Sequence, residues 1–578
     1  MRKVLAMHFK QVCRVSIKLV CITLVLSACG GGSSKNDSQY LSHSVSSIHS
    51  SKVLSSESSF AGSSSVGSST PSVSSADTIL LSGTISYDFI PHNANSVGLN
   101  YLAIEQRPVR GVIVELIDNL GQIKAATTTA NDGSYSLTAQ KNQLVKVRVK
   151  AQLVKTSSPS WDFKVTDNTS NNALYVLDGE LVLANTQSEK RDLHADSGWD
   201  GIAYSPTRAA APFAILDSIY IGLERIISAG NKQNLAPLEL RWSTKNSVAD
   251  GDITRGEIGT SFYDGSAIYI LGDANNDTDE YDPHVLLHEW GHYLEDELFR
   301  SDSIGGDHAD GQLLDLRVAM SEGFANAFSG MMLENPNYSD SSGIAQSSGF
   351  YFSIGKKNRV NKGYFSEGSV GSILYNYYTA DFDKVPNDFS PIFNVLHNKN
   401  YSSSDAFTSI FLFQAHLRSQ LPEHAELFST LMQEQNISGT DEYASDELNN
   451  GGLSISLPVY KTLVANGAPV NVCSAAEYGK HNKLGNSQFL KFNIIQSGSY
   501  NIRAQKSGGE NIQSKPEFIL YQKGRGITYI KNTLNDDATG NLTMLPGNYV
   551  LEVYDLNNRD NKNTNDDMTC FNVRVSAN

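Results

Sequence analysis

The run from Asp282 to Phe299, DPHVLLHEWGHYLEDELF, constrains this chain more than any other segment. Val285, Leu286, Leu287, Tyr293, Leu294, Leu298 and Phe299 have the apolar spacing of a buried helix, which Asp282-Pro283 is suited to start. On a helix, residues four apart share a face, so His288 and His292 stack one turn apart with Glu289 beside the first. This is the H-E-x-x-H pattern, in which two imidazoles reach one zinc ion and the glutamate addresses a water. The competing reading is a core helix whose histidines make only internal hydrogen bonds. Burying two histidines and a glutamate on one face is costly without a metal or partners. A zinc-dependent hydrolase is therefore expected.

A catalytic zinc site needs a third protein ligand. In the metzincin pattern that ligand is a histidine six residues beyond the second, after a glycine. Here Glu295 stands in the glycine position and Leu298 in the histidine position, which excludes that class. A glutamate from a second helix is the other common solution, and Ser321-Glu322-Gly323-Phe324-Ala325-Asn326-Ala327-Phe328 fits it. Glu322 and Asn326 share one face, while Met320, Phe324, Ala327, Phe328 and Met331 are apolar.

With these motifs, residues 255–335 resemble the thermolysin-like gluzincins. The resemblance implies Zn²⁺ held by His288, His292 and Glu322, with Glu289 as general base. Asn326 would orient a zinc histidine, although it stands where the family has aspartate. The segment Ser261–Ser266 followed by Ile268–Asp273 resembles the family's edge strand, which grips extended peptides by β-augmentation. Glu322 follows His292 by 30 positions (322 − 292), longer than in thermolysin, and the polar insert SDSIGGDHADGQ accounts for the excess. The family's later transition-state histidine has no clear counterpart. The comparable stretch GYFSEGSVGSILYNYY offers Tyr364, Glu367, Tyr375, Tyr377 and Tyr378; Tyr375 is the expected oxyanion donor, with core packing as its other reading.

Other polar residues compete for roles. His284, one turn before His288, is expected at the helix start or on the surface. His308, beside Asp307 and Asp310, is a reserve third-ligand cluster. Asp273, Asn275, Asp277 and Asp279 alternate oxygen donors as in a calcium loop, without the Gly and Glu of an EF-hand, so Ca²⁺ and a solvated acidic loop both fit.

The N-terminus reads as an export signal over residues 1–28. A basic region (Arg2, Lys3, Lys10, Arg14, Lys18) precedes an apolar core too short to span a bilayer. It ends in Leu26-Ser27-Ala28-Cys29, which resembles a bacterial lipobox. The resemblance implies a lipid anchor on Cys29 and, with Gly30 next, an outer-membrane address; a conventional signal cut near Ala28 would instead release the chain. Cys473 and Cys570 form an even pair, and a disulfide suits an oxidising compartment. The net charge of −15 excludes a nucleic-acid role.

Residues 29–77 are serine-rich and too polar to fold, giving a tether. Residues 78–187 read as short strands punctuated by turns such as Asn131-Asp132-Gly133. Their pattern resembles carboxypeptidase-regulatory-like, transthyretin-like sandwich domains. Residues 188–456 carry the helical patterns and all catalytic candidates. Residues 457–578 return to strands and resemble pre-peptidase C-terminal domains. The expected fold class is therefore multidomain: an α+β, mainly helical zincin-like domain flanked by two β-sandwiches.

The expected activity is endopeptidase cleavage of protein or peptide substrates at the cell surface. A peptidase-fold surface binding protein of little or no activity, and a zinc hydrolase acting on a non-peptide amide or ester, are the competing readings.

Overall fold

The computed structural model describes residues 77–578 apart from 95, 187, 381–386, 510–513, 532–535 and 561–567. The signal segment, the expected lipidation site Cys29 and the tether through residue 76 lie outside the described residues.

The first part of the chain forms β1 (Thr78–Phe89), β2 (Glu105–Pro108), β3 (Val112–Asp118), β4 (Ile123–Thr128), β5 (Ser134–Gln140), β6 (Gln143–Lys155) and β7 (Trp161–Asp167). Alternation along β1 turns Leu81, Ile85 and Tyr87 inward. β1 pairs antiparallel with β2 and β5, while β4, β3, β6 and β7 lie in order in a second sheet. Gly133, with φ 78°, closes the turn between β4 and β5.

That second sheet crosses the expected boundary at residue 187. β7 pairs in parallel with Leu238–Trp242, which pairs in parallel with Ala267–Ile270; Phe262–Tyr263 adds antiparallel at the edge. Helix α1 (Ala211–Ser228) lies within the β7-to-Leu238 connection, supplying the crossover that parallel strands need. One hydrophobic core runs from Leu81 and Val149 through Phe163 and Leu240 to Leu287 and Phe324. The segment 78–187 is thus built into the same sheet and core as the helices, not set beside them. The helices of the block 188–456 pack on that shared sheet rather than forming a separate layer of their own. Runs of alternating residues reveal strands but not which strands they pair with.

Three helices frame the polar centre: α2 (Pro283–Glu297), α3 (Leu316–Leu333) and α4 (Glu367–Tyr378). Asp282 occupies the N-cap position of α2, yet its carboxylate makes no cap; it accepts from Ser341 and pairs with His92. The other face of α2 buries Trp290 against Phe163 and Phe328. A Cβ on Gly291 would stand 3.3 Å from the Phe328 ring, and one on Gly323 would stand 2.7 Å from the Glu367 carbonyl. These glycines let α2 approach α3, and α3 approach α4, closely enough for their polar side chains to converge.

The C-terminal part is a β-sandwich of a five-stranded and a four-stranded sheet. Its inner faces share a core that includes Leu490, Ile502, Phe518, Leu551 and Val573. Cys473 and Cys570 stand opposite each other on the paired strands Val470–Ser474 and Thr569–Ala577, and form the expected disulfide. The sandwich grips the start of α3. Arg317, 1% exposed, donates to Asp315 and to Glu552 of strand Gly547–Asp555 at 2.8–3.0 Å.

Candidate metal centre

Helix geometry puts His288 and His292 on one face of α2, and α3 carries Glu322 to the same point. His288 Nε2 lies 3.2 Å from His292 Nε2, and Glu322 Oε2 lies 3.3 Å and 3.4 Å from those nitrogens. Zinc bonds of about 2.0–2.1 Å at tetrahedral angles place neighbouring donors about 3.3–3.4 Å apart. The three edges therefore match a zinc-sized triangle. Glu322 Oε2 is buried and accepts no hydrogen bond of good geometry. Two imidazole nitrogens and one carboxylate oxygen are also a donor set that zinc takes. The residues fit the ion.

The outer ring nitrogens are both engaged. His288 Nδ1 donates to Asn326 Oδ1 at 3.0 Å, and His292 Nδ1 donates to Glu295 Oε2 at 3.0 Å. These bonds fix the tautomers that turn both Nε2 lone pairs inward. Asn326 thus takes its expected orienting place. Glu295 was not singled out for this role, although an i, i+3 spacing from His292 was a readable signal. Ser321 Oγ donates to the same Glu295 oxygen at 2.5 Å.

Glu289 is buried beside the pair. Its Oε2 accepts from the Tyr263 amide of the edge strand at 2.9 Å, leaving Oε1 without a partner. Burial raises its carboxyl above the usual range, opposed by His288 and His292. The edge strand is thereby fastened next to the group expected to act as base.

His308 comes to the centre from the loop between α2 and α3. Its Nε2 lies 3.2 Å from Glu322 Oε2, while its Nδ1 lies 2.7 Å from Glu367 Oε2 on α4. Burial lowers its affinity for a proton, but Glu322 and Glu367 outweigh this and hold its pKa at about 9. Glu322 is opposed by burial, yet the surrounding histidines keep it ionised well below the usual carboxylate range. The loop is held from outside: Lys483 donates to the Asp307 carbonyl at 2.5 Å and Asn482 to the Gly305 carbonyl at 2.8 Å. Both donors belong to the C-terminal sandwich.

The remaining candidates lie elsewhere. Tyr375 packs against Gly330, Gly355 and Tyr378, and Glu334 is the charge that acts on it; no contact ties it to the three metal side chains. It has the position of a core residue because it meets α3 at Gly330, about two turns beyond Glu322. Asp310 pairs with Arg359, so of the reserve cluster only His308 arrives. His284 is buried rather than exposed, with Nε2 3.2 Å from the Asn335 carbonyl and a pKa lowered by burial to about 4. Of the four alternating oxygen donors, Asp277 and Asp279 meet a third carboxylate, Asp340, away from the zinc triangle.

No protein-family model matches the chain, and no curated protein matches it. Among solved structures it is similar to the pre-peptidase C-terminal domain of a collagenase from Bacillus anthracis, at 13% identity and a TM-score of 0.15 over 20% of this chain and 93% of that domain. It is also similar to the periplasmic g-type lysozyme inhibitor PliG of Aeromonas hydrophila, at 12% identity and a TM-score of 0.13, covering 20% of this chain and 96% of that one. A 9R-lipoxygenase from Cyanothece PCC8801 matches at 11% identity and a TM-score of 0.13, over 28% of this chain and 26% of its own. These partial similarities assign neither family nor activity.

Proposed function

We propose that the chain is a zinc-dependent peptidase of the gluzincin type, acting on protein or peptide substrates. The observation that carries this reading is the triangle of His288, His292 and Glu322 donor atoms, with edges of 3.2–3.4 Å, beside a buried Glu289. His288, His292 and Glu322 would hold the zinc ion, which would supply Lewis acidity toward a water and a substrate carbonyl. The unpartnered Oε1 of Glu289 accepts the water's proton and later returns it to the leaving amine. The Phe262–Tyr263 edge aligns an extended substrate by main-chain pairing. His308, with Glu367 fixing its ring, donates to the developing oxyanion in the role the sequence assigned to Tyr375. The lipobox-like Cys29 places this activity at a membrane surface in the same proposal.

The test combines metal analysis with one conservative substitution. The purified chain is expected to carry one equivalent of zinc and to cleave members of a broad peptide library. Glu289→Gln should keep the zinc while losing about 10²–10⁴-fold in turnover. Undiminished zinc in Glu322→Ala would overturn the ligand assignment. Zinc-loaded chain that cleaves no peptide would overturn the peptidase reading and favour a binding role.

A further inference from the structure

The loop that carries His308 has no regular structure of its own. Residues 301–313 form neither helix nor strand, so their backbone polar groups need partners from elsewhere. Many of those partners come from one segment of the C-terminal sandwich, the connection between strands Val470–Ser474 and Ser487–Ile494. Asn482 donates to the Gly305 carbonyl at 2.8 Å, and its own main-chain carbonyl accepts from the Asp315 amide at 2.7 Å. Lys483 bridges antiparallel to Leu314, and the Leu484 amide donates to the Leu313 carbonyl at 2.9 Å. Gly306, with φ 96°, faces the His481 ring so closely that a Cβ there would stand 2.3 Å from it. The segment is itself fixed. The Lys483 amide donates to Asn486 Oδ1, and Asn486 donates to the Ala475 and Gly479 carbonyls.

Lys483 reaches furthest toward the metal centre. Its ammonium donates to the Asp307 carbonyl at 2.5 Å and to the Asn482 side-chain carbonyl. The residue is 8% exposed, and its ammonium is held by carbonyl oxygens rather than by a carboxylate. Burial disfavours its charge, which the negative charges of Asp307 and Glu367 support. Asp307 directly precedes His308, and Glu367 is the carboxylate 2.7 Å from His308 Nδ1. Burying an ammonium on neutral acceptors costs stability that an apolar side chain of similar volume would not. What such a chain could not do is grip the main chain one residue before His308 and lend positive charge to Glu367.

We propose that Lys483 is a positioning residue for His308: from the C-terminal sandwich it fixes the main chain at Asp307 and supports Glu367, so that His308 Nε2 keeps its 3.2 Å approach to Glu322. The proposal rests on the role given to His308 in the peptidase reading. It makes the sandwich part of the reacting centre rather than an appendage beside it. A donor to a developing charge works only while it is held close to its productive position, and a shift of about 1 Å is enough to lose much of its effect. Lys483 contacts none of the three zinc side chains, so its loss should leave zinc binding and substrate capture intact.

Lys483→Met keeps most of the side-chain volume and removes the ammonium. In the full, zinc-loaded chain it should lower kcat about tenfold or more, with KM within about twofold and zinc content unchanged. Val573→Ala, a core substitution in the same sandwich, should lower thermal stability without moving kcat, which separates positioning from general loosening. A second readout needs no cleavage. The ring proton between His308 Nδ1 and Glu367 should give a far-downfield proton resonance, identified by its loss in His308→Gln, and Lys483→Met should broaden or abolish it. A Lys483→Met chain with unchanged kcat, or with that resonance intact, would overturn the proposal. Should Lys483→Met fail to fold, Lys483→Gln, which stays polar but is too short to reach the Asp307 carbonyl, is read in the same way. Wild-type chain that cleaves no peptide would sink the peptidase reading, and the resonance alone would then decide the role of Lys483.

Discussion

His308 and Tyr375 divide the question of the oxyanion donor at the scale of single residues. Both are buried, but only His308 aims a ring nitrogen at the Glu322 oxygen that faces His288 and His292. His308→Ala is expected to lower turnover by about 10²–10³-fold with zinc content unchanged, while Tyr375→Phe stays within about twofold of wild type. Steady-state kinetics and metal analysis on the two variants check this. Loss of zinc in His308→Ala would make His308 a ligand instead. Glu295 teaches a related point. It sits where a metzincin glycine would, and the same helical spacing that excluded that class placed its carboxylate on His292.

Between elements, the buried ion pair at the start of α3 is the main joint. Burial disfavours the charge on Glu552, but Arg317 and Arg559 outweigh it and hold the carboxyl well below the usual range. A carboxylate depressed in the folded state contributes its full stability above the unfolded pKa of about 4.3. The contribution is lost as pH falls through the lower folded value. Glu552→Gln should therefore cost about 3–5 kcal/mol at neutral pH, since it leaves Arg317 underpaired in the interior. Denaturant melts should show that gap constant above about pH 5 and shrinking in acid. A gap independent of pH would overturn the assignment.

Across the whole molecule, the shared sheet and the two-sided hold on the His308 loop make the parts interdependent. A fragment of residues 188–456 removes β7 from the Leu238–Trp242 strand and exposes its ladder and core face. It also removes Lys483 and Asn482 from the loop and Glu552 from Arg317. Such a fragment is expected to lack a cooperative thermal transition and to bind no stoichiometric zinc, as calorimetry and metal analysis would show. A fragment that folds and holds zinc would return the two β regions to the status of detachable modules.

The amino-acid sequence determined the heart of the centre on its own. His288, Glu289 and His292 are related by one helical turn, and Glu322 and Asn326 by another. Backbone geometry fixes such relations wherever the helices lie. The disulfide was legible for a similar reason, as an even pair within one β segment. Tertiary structure alone decided what depends on helix rotation and loop course. It brought His308 in and left Tyr375 out, joined Asp340 to Asp277 and Asp279, and ran one sheet through an apparent domain boundary. Those relations span tens to hundreds of residues, and packing, rather than any local period, selects among them.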